Sequence, residues 1–174
     1  MEIVVAAGRG DVQAVTKALA SGEDVNWKTA YGDTALLEAS ENGHDSVVAL
    51  LLEHGADVNA RRTSGETPLV AAVWRRHMDV AKRLLASGAD PNVRFNGGPL
   101  LLFAYYPRPY KERTPQEEET DRTLVRMLLD AGTDPNERAD DGGTFLTRCR
   151  EPVLIAYAKG ESPRKGFFQG LFRR

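Results

Sequence analysis

Residues 32–60 read G-D-T-A-L-L-E-A-S-E-N-G-H-D-S-V-V-A-L-L-L-E-H-G-A-D-V-N-A. A turn glycine is followed by a short apolar helix, a Gly43-His44 break, a second helix carrying the run Val47 to Leu52, and a Gly-Ala-Asp-Val-Asn exit. The pattern returns every 33 residues: Gly22, Gly55 and Gly88 keep that spacing, as do Asn26, Asn59 and Asn92, and Gly32 and Thr34 return as Gly65 and Thr67. G-A-D-V-N at 55–59 has counterparts in G-E-D-V-N at 22–26, G-A-D-P-N at 88–92 and G-T-D-P-N at 132–136. A fixed period of this length marks a stack of small units, none of which can bury its apolar face alone.

The composition suits such a stack. The chain has 174 residues, 41% hydrophobic and 28% charged, as an ordinary soluble domain does. A formal net charge of −2 supplies no bulk attraction to nucleic acid or an anionic membrane. One cysteine, Cys149, excludes an intrachain disulfide framework and suits a reducing compartment. No apolar run approaches the ~20 residues that span a bilayer. The opening Met1-Glu2-Ile3-Val4-Val5 lacks a basic n-region, so a cytoplasmic location without a secretory signal is expected.

Taken in order, the first unit starts inside its own first helix, since Ile3 and Ala6 precede Leu36 and Ala39 by one period. Gly10 marks its inter-helix break, and Asp11 to Ala20 read as the second helix. Asp24 to Asp33 form the first hairpin finger, with Tyr31-Gly32-Asp33 as turn chemistry. Thr34 and Thr67 are helix caps, and Pro68 sits where a missing N–H costs nothing. The run Val47 to Leu52 is apolar on too many sides for a surface helix, which predicts burial on both flanks.

The fourth unit departs from the pattern. Its hairpin is one residue short at Gly97-Gly98, and twelve extra residues separate its two helices. Pro107-Arg108-Pro109 ends the first helix, and T-P-Q-E at 114–117 is a capping box that starts a long second helix, running past Leu129. Glu118 can pair with Arg122 one turn on. A fifth unit follows, with Cys149 in the slot of a small alanine and a short second helix at Pro152 to Ala158. The last residues, E-S-P-R-K-G-F-F-Q-G-L-F-R-R, do not read as a repeat.

On these motifs residues 1–158 resemble the ankyrin-repeat family. The resemblance implies an all-α solenoid of about five stacked helix-turn-helix units with hairpin-like turns, monomeric when free. The units fall at about 1–28, 29–61, 62–94, 95–138 with an insertion near 107–118, and 139–160, and a basic amphipathic tail follows at 161–174. Where the family carries histidine after T-P-L, this chain has Leu37 and Val70, so hydrophobic packing stands in for a polar tie. The family also implies a concave surface of hairpin tips and first-helix faces that binds protein partners, with no catalysis and no cofactor.

The residues themselves offer no competing chemistry. There is no phosphate-binding loop, no H-E-x-x-H and no paired Cys-x-x-Cys. His44 and His77 share one repeat position and read as structural, while His54 sits at a helix end where a cation is favourable. Carboxylates are scattered over caps and exits, and Cys149 reads as a small buried residue. No catalytic residue, metal ligand or small-molecule substrate is expected.

Positions that the stack does not dictate are the candidate partner-binding residues: Tyr31, Asp33, Glu41, Arg61, Glu66, Trp74, Arg75, Tyr105 and Tyr106. Tyr, Trp and Arg combine large area with polar tips and dominate binding hot spots. Trp74 and Tyr105 have a second reading, in which they pack against the insertion and support it. The function expected is non-enzymatic binding of an as yet unidentified protein, as an adaptor or as an inhibitor of the immunity or antitoxin kind. The alternative is a nucleic-acid or membrane surface, built from Arg61-Arg62, Arg75-Arg76, Arg94 and Arg108 or from the tail. In the tail Phe167, Phe168, Leu171 and Phe172 share one side of a short helix among basic residues. It is expected to cap the fifth unit over Val153, Leu154, Ile155 and Tyr157, with membrane or partner binding as the competitor.

Overall fold

The computed structural model describes residues 2–105, 114–149 and 152–160. The chain divides into two compact units, Met1–Asp90 and Pro91–Arg174.

The first unit is three stacked helix pairs: α1 (Glu2–Arg9) with α2 (Val12–Ala20), α3 (Ala35–Glu41) with α4 (Asp45–Glu53), and α5 (Pro68–Arg75) with α6 (Met78–Ala86). Helices this short are marginal in isolation, so their stability comes from packing. Within the row α1, α3, α5 and within the row α2, α4, α6, each helix packs on the next. Small residues permit that approach: Ala7, Ala35, Ala39, Ala71 and Ala72 are fully buried among Leu36, Leu37, Leu69 and Val70. Leu37 and Val70, which replace the family's histidine, thus serve the core. Thr34 and Thr67 accept from the backbone N–H groups of Leu37 and Val70, as the sequence predicts.

The outer row is less enclosed than expected. Val47, Val48 and Leu51 are buried, whereas Leu50 and Leu52 are only half-buried, since α4 packs chiefly on α2, α3 and α6 among the described residues. Two polar devices fix the spacing between units. Asn26 donates to the Gly55 carbonyl and accepts from the Asp57 N–H, and Asn59 does the same one unit on with Gly88 and Asp90. His44 and His77 each hold a backbone carbonyl of the preceding unit, Gly8 and Glu41 respectively.

The second unit opens with a two-stranded antiparallel hairpin, β1 (Arg94–Phe95) and β2 (Gly98–Pro99), pairing Arg94 with Pro99 and Phe95 with Gly98. Its turn, Asn96-Gly97, has positive φ at both positions (45° and 80°), the tight geometry that shortens this finger. Next come α7 (Leu100–Tyr105), α8 (Pro115–Asp130), α9 (Phe145–Arg148) and α10 (Pro152–Ala158). The capping box at Thr114 and Glu117 forms, and α8 runs for 16 residues, as read from T-P-Q-E. Glu118 lies 3.5 Å from Arg122.

Of the face expected to take the cap on α10, Val153 is exposed and Ile155 half-buried. Leu154 and Tyr157 are buried in the unit, where α10 packs on α8, and the Tyr157 hydroxyl donates to Asp130 at 2.6 Å. Among the described large apolar residues of this unit only Val153 is exposed. The tail residues Phe167, Phe168, Leu171 and Phe172 lie outside the described residues, as do Tyr106 and most of the insertion.

Candidate functional site

The finger 24–33 and the finger 57–66 are joined edge to edge in the first unit. Both the Thr63 N–H and its hydroxyl donate to the Tyr31 carbonyl at 3.0 Å. The backbone of Tyr31 is therefore pinned while the residue as a whole stays 75% exposed. Thr29 steadies the same turn through its hydroxyl, which donates to Asp33 and accepts from the Asp33 N–H.

Behind this edge sits a residue that the sequence reading named only for the alternative nucleic-acid surface. The guanidinium of Arg62, with only 15% of its side chain exposed, reaches Asp33 at 2.6 Å, Glu38 at 2.7 Å, Glu41 at 2.8 Å and Glu66 at 2.6 Å. One cation thus ties two fingers to the inner helix α3. Burial alone lowers an arginine's pKa, but Glu41 and Glu66 more than reverse this and hold Arg62 above its ordinary value. The second oxygen of Glu41 accepts from Arg75 on α5 at 2.5 Å. Hydrogen bonding to Arg75, against the cost of burial and with further help from Arg62, holds the Glu41 carboxyl below the usual range. A signal for Arg62 was present in the sequence. Acidic residues crowd the finger base and inner helix at 33, 38, 41 and 66, and a buried acidic cluster demands a cation.

Trp74, half-buried, and Arg75, exposed, end α5 on the same inner row. The next residue, Arg76, adopts φ 65°, ψ 27° at the position where Gly10 and Gly43 make the break in the earlier pairs. A non-glycine residue held left-handed is a local strain, and such strain clusters at binding sites.

Of the sequence candidates, Tyr31, Asp33, Glu41, Arg61, Glu66, Trp74 and Arg75 all belong to the first unit. The Arg62 network joins Asp33, Glu41, Glu66 and Arg75 directly. Arg61 is exposed beside them. Tyr105 belongs to the second unit, where its ring meets Phe145 edge-on at 5.5 Å and 80°. Among the described residues, no three His, Cys, Asp or Glu side chains converge as metal ligands would. No helix among them is long and apolar enough to cross a membrane.

The second unit holds a groove of about 460 Å³ that the sequence reading did not foresee. The β1–β2 turn and Leu102 and Phe103 line it on one side, and Ala139, Asp140, Asp141 and Arg148 on the other. Phe103 stands two residues after Leu101, as Glu38 stands two after Leu36, so the inner face that is ionic in α3 is aromatic in α7. Phe95 packs on Phe103 at 5.9 Å and extends that surface.

Short helix pairs in register, with pinned fingers and charged inner helices, define an interaction scaffold. A family model described as ankyrin repeats, in three copies, matches residues 3–95, a little over half the sequence. The chain belongs to the ankyrin-repeat family, whose repeats are in general protein–protein interaction modules. A search of curated proteins finds no match.

Proposed function

We propose that the protein binds a protein partner, without catalysis, through the fingers and inner helices of the first unit, with Tyr31, Arg61, Trp74 and Arg75 as its anchors. The observation that carries this reading is Tyr31, an aromatic residue 75% exposed on a backbone fixed from the neighbouring finger. Rigid, exposed aromatics give contact area for little lost entropy, the property that makes hot spots. The strained Arg76 beside Trp74 and Arg75 supports the same face. The role is that of an adaptor or of an inhibitor covering its target's active site, in a reducing, cytoplasmic setting that suits the single cysteine.

Three of the arginines that suggested nucleic acid are engaged with carboxylates, which favours the protein reading. Arg62 and Arg75 hold carboxylates, and Arg94 holds Glu137 and Asp140. A phosphate would have to displace these pairs. The test is cross-linked affinity capture with wild type and a Tyr31→Ala/Trp74→Ala variant whose circular dichroism is unchanged. Loss of a specific captured protein is the expected result, and a folded variant that retains every partner overturns the proposal.

A further inference from the structure

The second unit carries a concavity and the chain carries a segment chemically matched to it. The groove beside the Asn96-Gly97 turn has an apolar floor in Leu102 and Phe103 and lacks side chains at Gly97 and Gly98. Its volume of about 460 Å³ lies in the range of roughly 300–1,000 Å³ typical of ligand sites. The loop 134–141 beside it has carboxylates at Asp134, Glu137, Asp140 and Asp141 and one cation, Arg138. Arg94 and Arg148 pair with Glu137, Asp140 and Asp141, and one negative charge remains over the set of four carboxylates and three arginines. The side chains of Asp140 and Asp141 stay 75% and 65% exposed, so each retains lone pairs for a second donor.

We propose that the chain's own C-terminal segment, residues 161–174, docks in this groove, with Phe167 and Phe168 over Leu102 and Phe103 and with its basic residues against Asp140 and Asp141. The segment has four basic residues, Arg164, Lys165, Arg173 and Arg174, against one acidic, Glu161, and it carries four large apolar side chains. On α10, by comparison, Leu154 and Tyr157 are buried, Ile155 is half-buried and Val153 is exposed. Fourteen residues beyond Gly160 reach up to about 46 Å, enough to cross a unit of this size. A covalent tether also supplies an effective concentration in the millimolar range, so even a weak site fills. The inference concerns the second unit and stands independently of the partner surface proposed for the first.

The test uses the full chain with Cys149→Ala and a nitroxide at Arg173→Cys, read by paramagnetic broadening of backbone amides. Docking predicts loss of signal at Asn96 to Gly98, Phe103 and Ala139 to Asp141, and its recovery when Phe167→Ser/Phe168→Ser is added. Broadening centred on Val153, or none at the groove, overturns the proposal. Broadening that requires mixing labelled with isotope-enriched chains shows docking between copies and overturns it too. A version needing no cysteine change is amide exchange at Gly97 and Gly98 in the otherwise unaltered chain. Phe167→Ser/Phe168→Ser is expected to speed it roughly tenfold, and an unchanged rate refutes the docked segment.

Discussion

The imidazole of His77 fills the space that a Cβ on Gly43 would need: that atom would stand 2.5 Å from Nδ1, while Nε2 donates to the Glu41 carbonyl at 3.0 Å. His44 treats Gly10 and the Gly8 carbonyl in the same way one unit earlier. Glycine at the break and histidine one unit on are therefore a matched pair. Gly43→Ala adds left-handed strain at φ +77° and displaces the ring, at an expected cost of about 2–4 kcal/mol. Gly55→Ala, at φ +84° with nothing within 4 Å, keeps only the strain, about 1–2 kcal/mol. Equal urea midpoints for the two variants contradict the pairing.

Arg62 should be the costliest charge to remove from the first unit. Arg62→Met keeps most of the packing but leaves Asp33, Glu38 and Glu66 without that cation, and Glu41 with Arg75 alone. Breaking a mostly buried network costs about 3–5 kcal/mol, and partial exposure here brings the expectation to about 2–3 kcal/mol. Adding Glu66→Gln to Arg62→Met is expected to restore part of the loss, a coupling that a double-mutant cycle reads directly.

The Glu41–Arg75 pair sets a sign for pH dependence. The folded-state pKa of Glu41 lies below its ordinary value of 4.5, chiefly through the hydrogen bond from Arg75, so the stability this gives is present above pH 4.5 and lost as pH falls through the folded value. An Arg75→Ala variant is therefore expected to be less stable than wild type at neutral pH, with a deficit that shrinks below pH 4.5. A deficit that is constant across that range removes the assignment. Asp45 behaves alike below 3.8, where the hydrogen bond from Arg83 holds it down.

In the second unit Tyr157→Phe isolates one bond. The Tyr157 hydroxyl donates to Asp130 at 2.6 Å, and the other Asp130 oxygen is buried with no partner among the described residues. Loss of a donor to a carboxylate is expected to cost about 1.5–3 kcal/mol. Tyr157→Phe with Asp130→Asn should cost less than Tyr157→Phe alone, and calorimetry of the two variants decides it.

Features written into backbone geometry were legible in the sequence. Gly10, Gly43, Thr34, Thr67 and the box at Thr114–Glu117 act within a turn or two, so spacing placed them, and the long α8 followed from one capping motif. What crosses between units was not legible. The acidic residues at 33, 38, 41 and 66 signal the need for a cation, but no short pattern says that Arg62 reaches all four from two fingers and one inner helix. Nor does apolar content say which neighbour claims Leu154 and Tyr157, which are buried where α10 packs on α8. The groove went unseen although Phe103, in the register of Glu38, announced an aromatic inner face.

Arg76 offers the sharpest separation of stability from binding. It occupies the left-handed position that Gly10 and Gly43 fill in the earlier pairs, at φ 65°. Left-handed geometry costs a residue with a Cβ about 1–2 kcal/mol. Against this stand the hydrogen bond from its side chain to the Val73 carbonyl and the greater entropy glycine loses on folding. Arg76→Gly is expected to stabilise the chain by a net of about 0.5–1 kcal/mol, a small rise in the thermal midpoint. Retention of the strain in a repeat that elsewhere uses glycine is explained if the side chain helps hold Trp74 and Arg75 for a partner, since stability is commonly given up at binding faces. The same variant should therefore lose affinity for the partner captured by wild type. A variant both more stable and equally tight in binding shows that Arg76 has no part in the site.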